Sequence, residues 1–201
     1  MNKHFASGAA LTLLVLLASG CVAPMSNNFT GRSLGSGKVG LDGGVVLASG
    51  GDGAVPSAKM AVGVSQDLDL GAQYDLFSIG LFARNSFINN DESLSLAGVL
   101  GMGIAASGFY GYTGPVISYR TGALEPYCGP RLNVVSYGES DSSSFISWEG
   151  GTYTYLQLTL GTIIWMTRGM GLNFETSVFM GDPGLVDFDD IVAMGGLTFR
   201  L

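Results

Sequence analysis

Leu68-Asp69-Leu70-Gly71-Ala72-Gln73-Tyr74 sets Leu68, Leu70, Ala72 and Tyr74 at alternate positions, with Asp69, Gly71 and Gln73 between them. A strand sends these two sets to opposite faces, whereas a helix would mix them on its surface. The same period of two runs outward along the chain. Phe77, Ile79, Leu81 and Ala83 alternate with Ser78, Gly80, Phe82 and Arg84; Leu94, Leu96, Leu100, Met102 and Ile104 with Ser93, Ser95, Ala97, Gly101 and Gly103. Leu156, Leu158 and Leu160 alternate with Gln157, Thr159 and Gly161, and Leu172, Phe174, Thr176 and Val178 with Asn173, Glu175 and Ser177. Ile191, Ala193, Leu197, Phe199 and Leu201 close the chain opposite Thr198 and Arg200.

This alternation predicts strands over 38–49, 57–65, 68–75, 76–88, 93–106, 110–120, 123–137, 151–166, 170–180 and 191–201. Turn residues separate several of them: Ser65-Gln66-Asp67, Asn89-Asn90-Asp91, Thr121-Gly122 and Thr167-Arg168-Gly169. With the first strand running outward, those four turns fall on one side, and the longer connections Gly138 to Gly150 and Gly181 to Asp190 fall on the other. Short turns on one side and long loops on the other is the asymmetry of an outer-membrane barrel. Ten strands also return both termini to the turn side. The junction at Asp75-Leu76 is short enough that eight strands, or a shifted register, remain open.

Composition narrows the class. Of 201 residues, 32 are glycine, 47% are hydrophobic and 12% are charged. Glycine is thus more than twice its usual share and charge about half, which argues against a disordered acidic chain. No Gly-X-Y period appears, and no apolar run long enough for a spanning helix follows the first twenty residues, so collagen and helical membrane bundles are excluded.

Residues 1–20 have the anatomy of a secretory signal: Lys3 and His4, an apolar stretch from Ala9 to Ala18, then small residues. The run Leu17-Ala18-Ser19-Gly20-Cys21 resembles the lipobox of bacterial lipoproteins, with its leucine four rather than three positions before the cysteine. That resemblance implies lipidation at Cys21, with acyl chains such as palmitate, and outer-membrane delivery with Val22 following. Cys128 is the other cysteine, so an acylated Cys21 leaves no disulfide partner, and Cys128 reads as a small apolar side chain. Residues 21–38 are small and polar and read as a lipidated N-terminus with a flexible tether of about 20 Å root-mean-square reach, leading into a barrel domain over 39–201. Removing Lys3 from 9 Lys+Arg leaves 8 against 16 Asp+Glu, a balance of −8 that argues against nucleic acid as a partner.

Two all-β architectures compete. A soluble lipocalin-like barrel would turn the large aliphatics inward and show Ser, Gly, Ala and Gln to water, a weakly charged exterior. A membrane barrel turns the large set toward hydrocarbon and crowds the small set inside, which the glycine pattern favours. From about Val39 to Leu201 the chain resembles the small bacterial outer-membrane β-barrels of the OmpA/OmpW-like kind. The resemblance rests on Gly63-Val64-Ser65-Gln66-Asp67-Leu68-Asp69-Leu70-Gly71, on Pro126-Tyr127-Cys128-Gly129-Pro130-Arg131 and on Gly195-Gly196-Leu197-Thr198-Phe199-Arg200-Leu201. The last ends in Leu201 rather than an aromatic, with Phe199 on the same face. What it implies is an all-β, up-and-down antiparallel, transmembrane barrel of about ten strands in the outer membrane, with membrane lipid as its partner.

Little in the sequence offers catalysis. The single histidine, His4, leaves with the signal, so no imidazole can activate a nucleophile. No His/Cys ligand cluster, phosphate loop or close carboxylate pair on the inner parity is present, so neither metal nor cofactor is expected. By parity Asp69, Arg84, Arg120, Glu125, Arg131, Glu175 and Arg200 point inward with Gln73, Asn133 and Gln157. Such a set forms either a polar plug of paired ions or the lining of a narrow channel for small solutes. The loops read as acidic, with Asp52, Asp75, Glu139, Asp141, Glu149 and Asp182 in or beside them. Asp187-Phe188-Asp189-Asp190 lacks the ordered spacing of a calcium loop and reads as solvated. Phe145 and Trp148 offer a surface contact, and Tyr119, Trp165, Phe174 and Phe199 suit an interfacial belt.

Overall fold

A computed structural model describes residues 29–48, 54–75, 78–90, 93–105, 108–138, 151–182 and 191–201. The signal segment, Cys21, and loop residues Asp52, Glu139, Asp141, Phe145, Trp148, Glu149, Asp187, Phe188, Asp189 and Asp190 lie outside them. Ten strands form one closed antiparallel barrel: β1 Val39–Ala48, β2 Ala54–Gly63, β3 Leu68–Asp75, β4 Ser78–Ile88, β5 Leu94–Ala105, β6 Gly108–Tyr119, β7 Leu124–Tyr137, β8 Gly151–Trp165, β9 Met170–Asp182 and β10 Val192–Arg200. Each strand pairs with its chain neighbours, and β1 closes on β10 from Gly40↔Arg200 to Ala48↔Val192. The short β3 stays a separate strand, paired with β2 through Ser57↔Asp75 and with β4 through Asp75↔Ser78, so the count is ten. The expected boundaries shift most at β2, which starts at Ala54 and ends at Gly63 because its partner β1 supplies a ladder down to Leu47↔Ala54.

The two faces differ in chemistry. Leu81, Met102 and Phe109 are 67%, 62% and 69% exposed, and Leu100, Ile104, Leu160 and Leu197 share their outward face. At a strand tilt of about 40°, ten residues of β1 or β2 rise about 25 Å, the height of a membrane barrel's apolar band.

Inward, glycines alternate with rings across the ladders. Gly71 lies opposite Phe82, Gly101 opposite Tyr112, Gly103 opposite Tyr110, Gly161 opposite Tyr127 and Gly171 opposite Trp165. A Cβ at Gly71, Gly101, Gly103 or Gly161 would run into the ring facing it. Each ring therefore lies down over a bare stretch of neighbouring backbone, and all five rings are buried. A side chain at Gly161 would have to displace Tyr127. Gly161→Val is expected to cost about 1–3 kcal/mol of stability, read from the urea midpoint of the refolded barrel. An unchanged midpoint would mean that the lumen has spare room there.

Candidate functional site

The lumen holds the charged residues, and they fall into two layers. At the end of the short turns, Asp69 on β3 takes Nε and Nη2 of Arg84 on β4 at 2.9 and 2.6 Å, a two-bond pair set by the cross-strand register Asp69↔Arg84. Glu125 on β7 gathers a second group: Arg32 at 2.6 Å, the Trp165 indole N–H at 2.8 Å and Arg200 at 4.0 Å. Arg32, Arg120 and Arg200 place their guanidiniums 5.8, 5.2 and 4.8 Å from the Trp165 ring centre. Arg120 is half-buried at the rim and donates to the Gly122 carbonyl.

Further in, hydrogen bonds joined by one cation–ring contact cross the lumen. Ser177 accepts from Gln157, Gln157 from Arg131, whose guanidinium lies 4.6 Å from the Tyr112 ring centre; Tyr112 donates to Gln73, which donates to Tyr110. Glu175 accepts from the Tyr127 hydroxyl at 2.8 Å, beside Asn173. Arg131 is 2% exposed and Gln157 and Asn133 0%, so these side chains close the middle of the barrel to the outer solvent.

The structure adds residues that the inner-parity reading did not single out. Lys59 is buried in the lumen, and Asp42 faces Thr198, which donates to it. Asp75, read beside an outer loop, is buried, its side chain turned inward with Ser57 and Ser78 on the neighbouring strands. With these, Arg32, Lys59, Arg84, Arg131 and Arg200, and Arg120 at the rim, face Asp42, Asp69, Asp75, Glu125 and Glu175. Lys59 and Asp75 sit on the same strand faces as Ala61 and Gln73 and fall within the expected strands 57–65 and 68–75, so the parity signal was present. Trp165 also differs from the expectation of an interfacial belt. It is buried, and it faces Glu125 because it shares the inward parity of Ile163.

The largest difference concerns the expected tether. From Phe29 to Leu34 the chain is buried inside the barrel at the turn end. Phe29 packs on Phe82 at 4.7 Å with Lys59 over its ring; Arg84 donates to the Thr30 carbonyl, and Arg200 to the Thr30 hydroxyl. Gly31 donates to Ser118 and accepts from Ser86. Ser33 and the Leu34 N–H both donate to Asp69. Gly35 and Gly37, with φ of 86° and 76°, turn this strap into β1 in the left-handed region open to glycine. Arg32 is the physical reason the segment is held: a buried carboxylate at Glu125 needs a cation, and no strand supplies one closer. A free linker thus extends no further than the residues before Phe29.

Among the described residues no group of three or more His, Cys, Asp or Glu side chains gathers at metal-binding distance. Cys128 is half-buried on the outer parity, between outward Pro126 and Pro130.

No family model and no curated protein matches the chain. Solved structures similar to it include the N-terminal β-barrel domain of Pseudomonas aeruginosa OprF, at 11% identity and a TM-score of 0.44 over 83% of this chain and 99% of that one. A de novo designed transmembrane β-barrel aligns at 13% identity and TM-score 0.38, over 83% and 97% of the two chains. Ail, the attachment invasion locus protein of Yersinia pestis, aligns at 14% identity and TM-score 0.32, over 82% and 95%.

Glu125 holds Arg32 at 2.6 Å and lies 4.0 Å from Arg200 beside Trp165, so removing its charge weakens the hold on two buried guanidiniums. Glu125→Gln is expected to lower stability by about 3–5 kcal/mol, and Glu125→Asp by less, in urea titrations of the folded barrel. Equal midpoints for wild type and Glu125→Gln would remove this carboxylate from the account.

Proposed function

We propose that this chain is an outer-membrane β-barrel lipoprotein with a structural or surface-interaction role, carrying no enzymatic activity. The observation that carries the reading is the inverted polarity of the barrel: large aliphatics outside, a close-packed polar interior with paired charges inside. Lipid satisfies the outer face, and a closed barrel leaves no sheet edge in hydrocarbon. A soluble ligand-binding barrel needs the reverse arrangement, with an apolar cavity and a solvated exterior. A channel needs a continuous aqueous path, which the solvent-excluded Arg131–Gln157–Asn133 layer and the strap do not provide.

The position of the strap supports an anchor at the turn end. Fully extended, the stretch from Cys21 to Phe29 reaches at most about 28 Å, so a lipid on Cys21 sits near the mouth into which Phe29 is packed. On this reading the turn end faces the periplasm and the segment 138–150 faces the outside, where Phe145 and Trp148 are available for contact with surface partners.

Two measurements test this. The protein in membrane fractions is expected to migrate differently on gels before and after heating, and added protease on intact cells to cut within 138–150; a mature domain that is soluble without detergent, or a segment protected on intact cells, overturns the reading. Leu81→Arg places a charge on the outer face and is expected to cost about 2–4 kcal/mol at mid-membrane depth, seen as lower yield of the heat-modifiable form. Normal yield would argue against hydrocarbon on that face.

A further inference from the structure

At the end of the barrel opposite the short turns, one row of inward side chains carries a charge that no hydrogen bond meets. Ser57 on β2, Asp75 on β3 and Ser78 on β4 are register partners, Ser57↔Asp75 and Asp75↔Ser78, which sets neighbouring Cβ atoms about 5 Å apart. All three are buried, Asp75 at 7% and Ser78 at 5% exposure. Neither carboxylate oxygen of Asp75 has a hydrogen-bond partner, and neither does the Ser78 hydroxyl. The Ser57 hydroxyl approaches Asp75 outside hydrogen-bond geometry. A buried carboxylate left in this way is costly, so its oxygens call for a positive group.

The cations of the chain are engaged elsewhere. Lys59 and Arg131 contribute their field at Asp75, but the Lys59 ammonium lies 4.3 Å over the Phe29 ring, and Arg131 donates to Gln157 with its guanidinium 4.6 Å from the Tyr112 ring centre. Gln73, the next inward residue on β3, is held between Tyr110 and Tyr112 at 3.0 and 2.7 Å. Arg32, Arg84, Arg120 and Arg200 gather at the turn end, around Asp69 and Glu125. The connections at the opposite end, 49–53, 76–77, 106–107, 139–150 and 183–190, hold seven carboxylates and no lysine or arginine. Charge is therefore separated along the barrel, and a cation from solution is drawn to the loop end.

We propose that Asp75, with the hydroxyls of Ser57 and Ser78, binds a monovalent metal cation of sodium size at the loop end of the lumen. One carboxylate and neutral hydroxyls, under the field of Lys59 and Arg131, match a single positive charge. A calcium ion takes six to eight oxygens, and no group of three or more His, Cys, Asp or Glu gathers among the described residues. The site does not depend on the membrane reading, because the ladder that aligns the three side chains belongs to the folded barrel.

Urea titrations of the full-length refolded barrel in sodium chloride and in choline chloride, at matched ionic strength, separate binding from screening. Sodium is expected to raise the wild-type midpoint by about 0.3–1 M where it exceeds its Kd about five-fold. Asp75→Asn is expected to lose that gain and Ser78→Ala to show a smaller one. In choline chloride Asp75→Asn is expected to match or exceed wild type, because it removes an unpartnered charge. Equal wild-type midpoints in the two salts would mean screening only and overturn the proposal. A full sodium gain in either variant would place the ion elsewhere, and an Asp75→Asn barrel less stable than wild type in choline chloride would mean that the chain itself partners Asp75; each of these overturns it as well.

Discussion

The interior of a ten-strand barrel has to be filled, and this chain fills it by laying rings over bare backbone. Tyr112 over Gly101, Tyr110 over Gly103, Tyr127 over Gly161 and Phe82 over Gly71 are cross-strand partners, so the ladder register itself delivers each ring to its glycine. The hydroxyls then become fixed points for polar side chains. Tyr110 and Tyr112 hold Gln73, and Tyr127 holds Glu175. A buried network of this kind is stable only when its charges and hydrogen bonds are matched. The rings supply donors where strands alone would leave carboxylates and amides apart.

The strap completes that matching at the turn end. Glu125 and Asp69 draw cations and N–H donors from outside the barrel's strands, and Phe29–Leu34 supplies them. Its arginine, its backbone N–H groups and its leucine, which sits against Gly40, make the mouth a filled layer rather than an opening. The polar interior is thereby closed in two places, by side chains at mid-height and by main chain at the rim.

Much of the barrel was legible because period two survives in most strands, and a one-residue error in register would have turned Leu81 inward and Phe82 outward. The separation of β3 from β4 was less legible, since the connection at 76–77 leaves almost no turn signature. The strap was not legible. Its glycine, serine and threonine are the composition of a linker, and nothing local distinguishes a linker from a peptide held by distant partners such as Glu125 and Arg84. Trp165 was misplaced for a related reason: an aromatic near a strand end fits an interfacial belt equally well until parity with Ile163 assigns its face. Lys59, Asp42 and Asp75 lie within the expected strands 57–65, 38–49 and 68–75, so their inward parity was readable from period two alone.

On the proposed reading the two faces of one strand meet different media, lipid outside and a sealed polar lumen inside. Single tryptophans at Leu81 and at Phe82, in a chain carrying Trp148→Phe and Trp165→Phe and reconstituted with brominated lipids, compare those faces at adjacent residues. Strong quenching by brominated acyl chains at 81 with little at 82 is the predicted result. Equal quenching at the two positions, or stronger quenching at 82, would contradict the account.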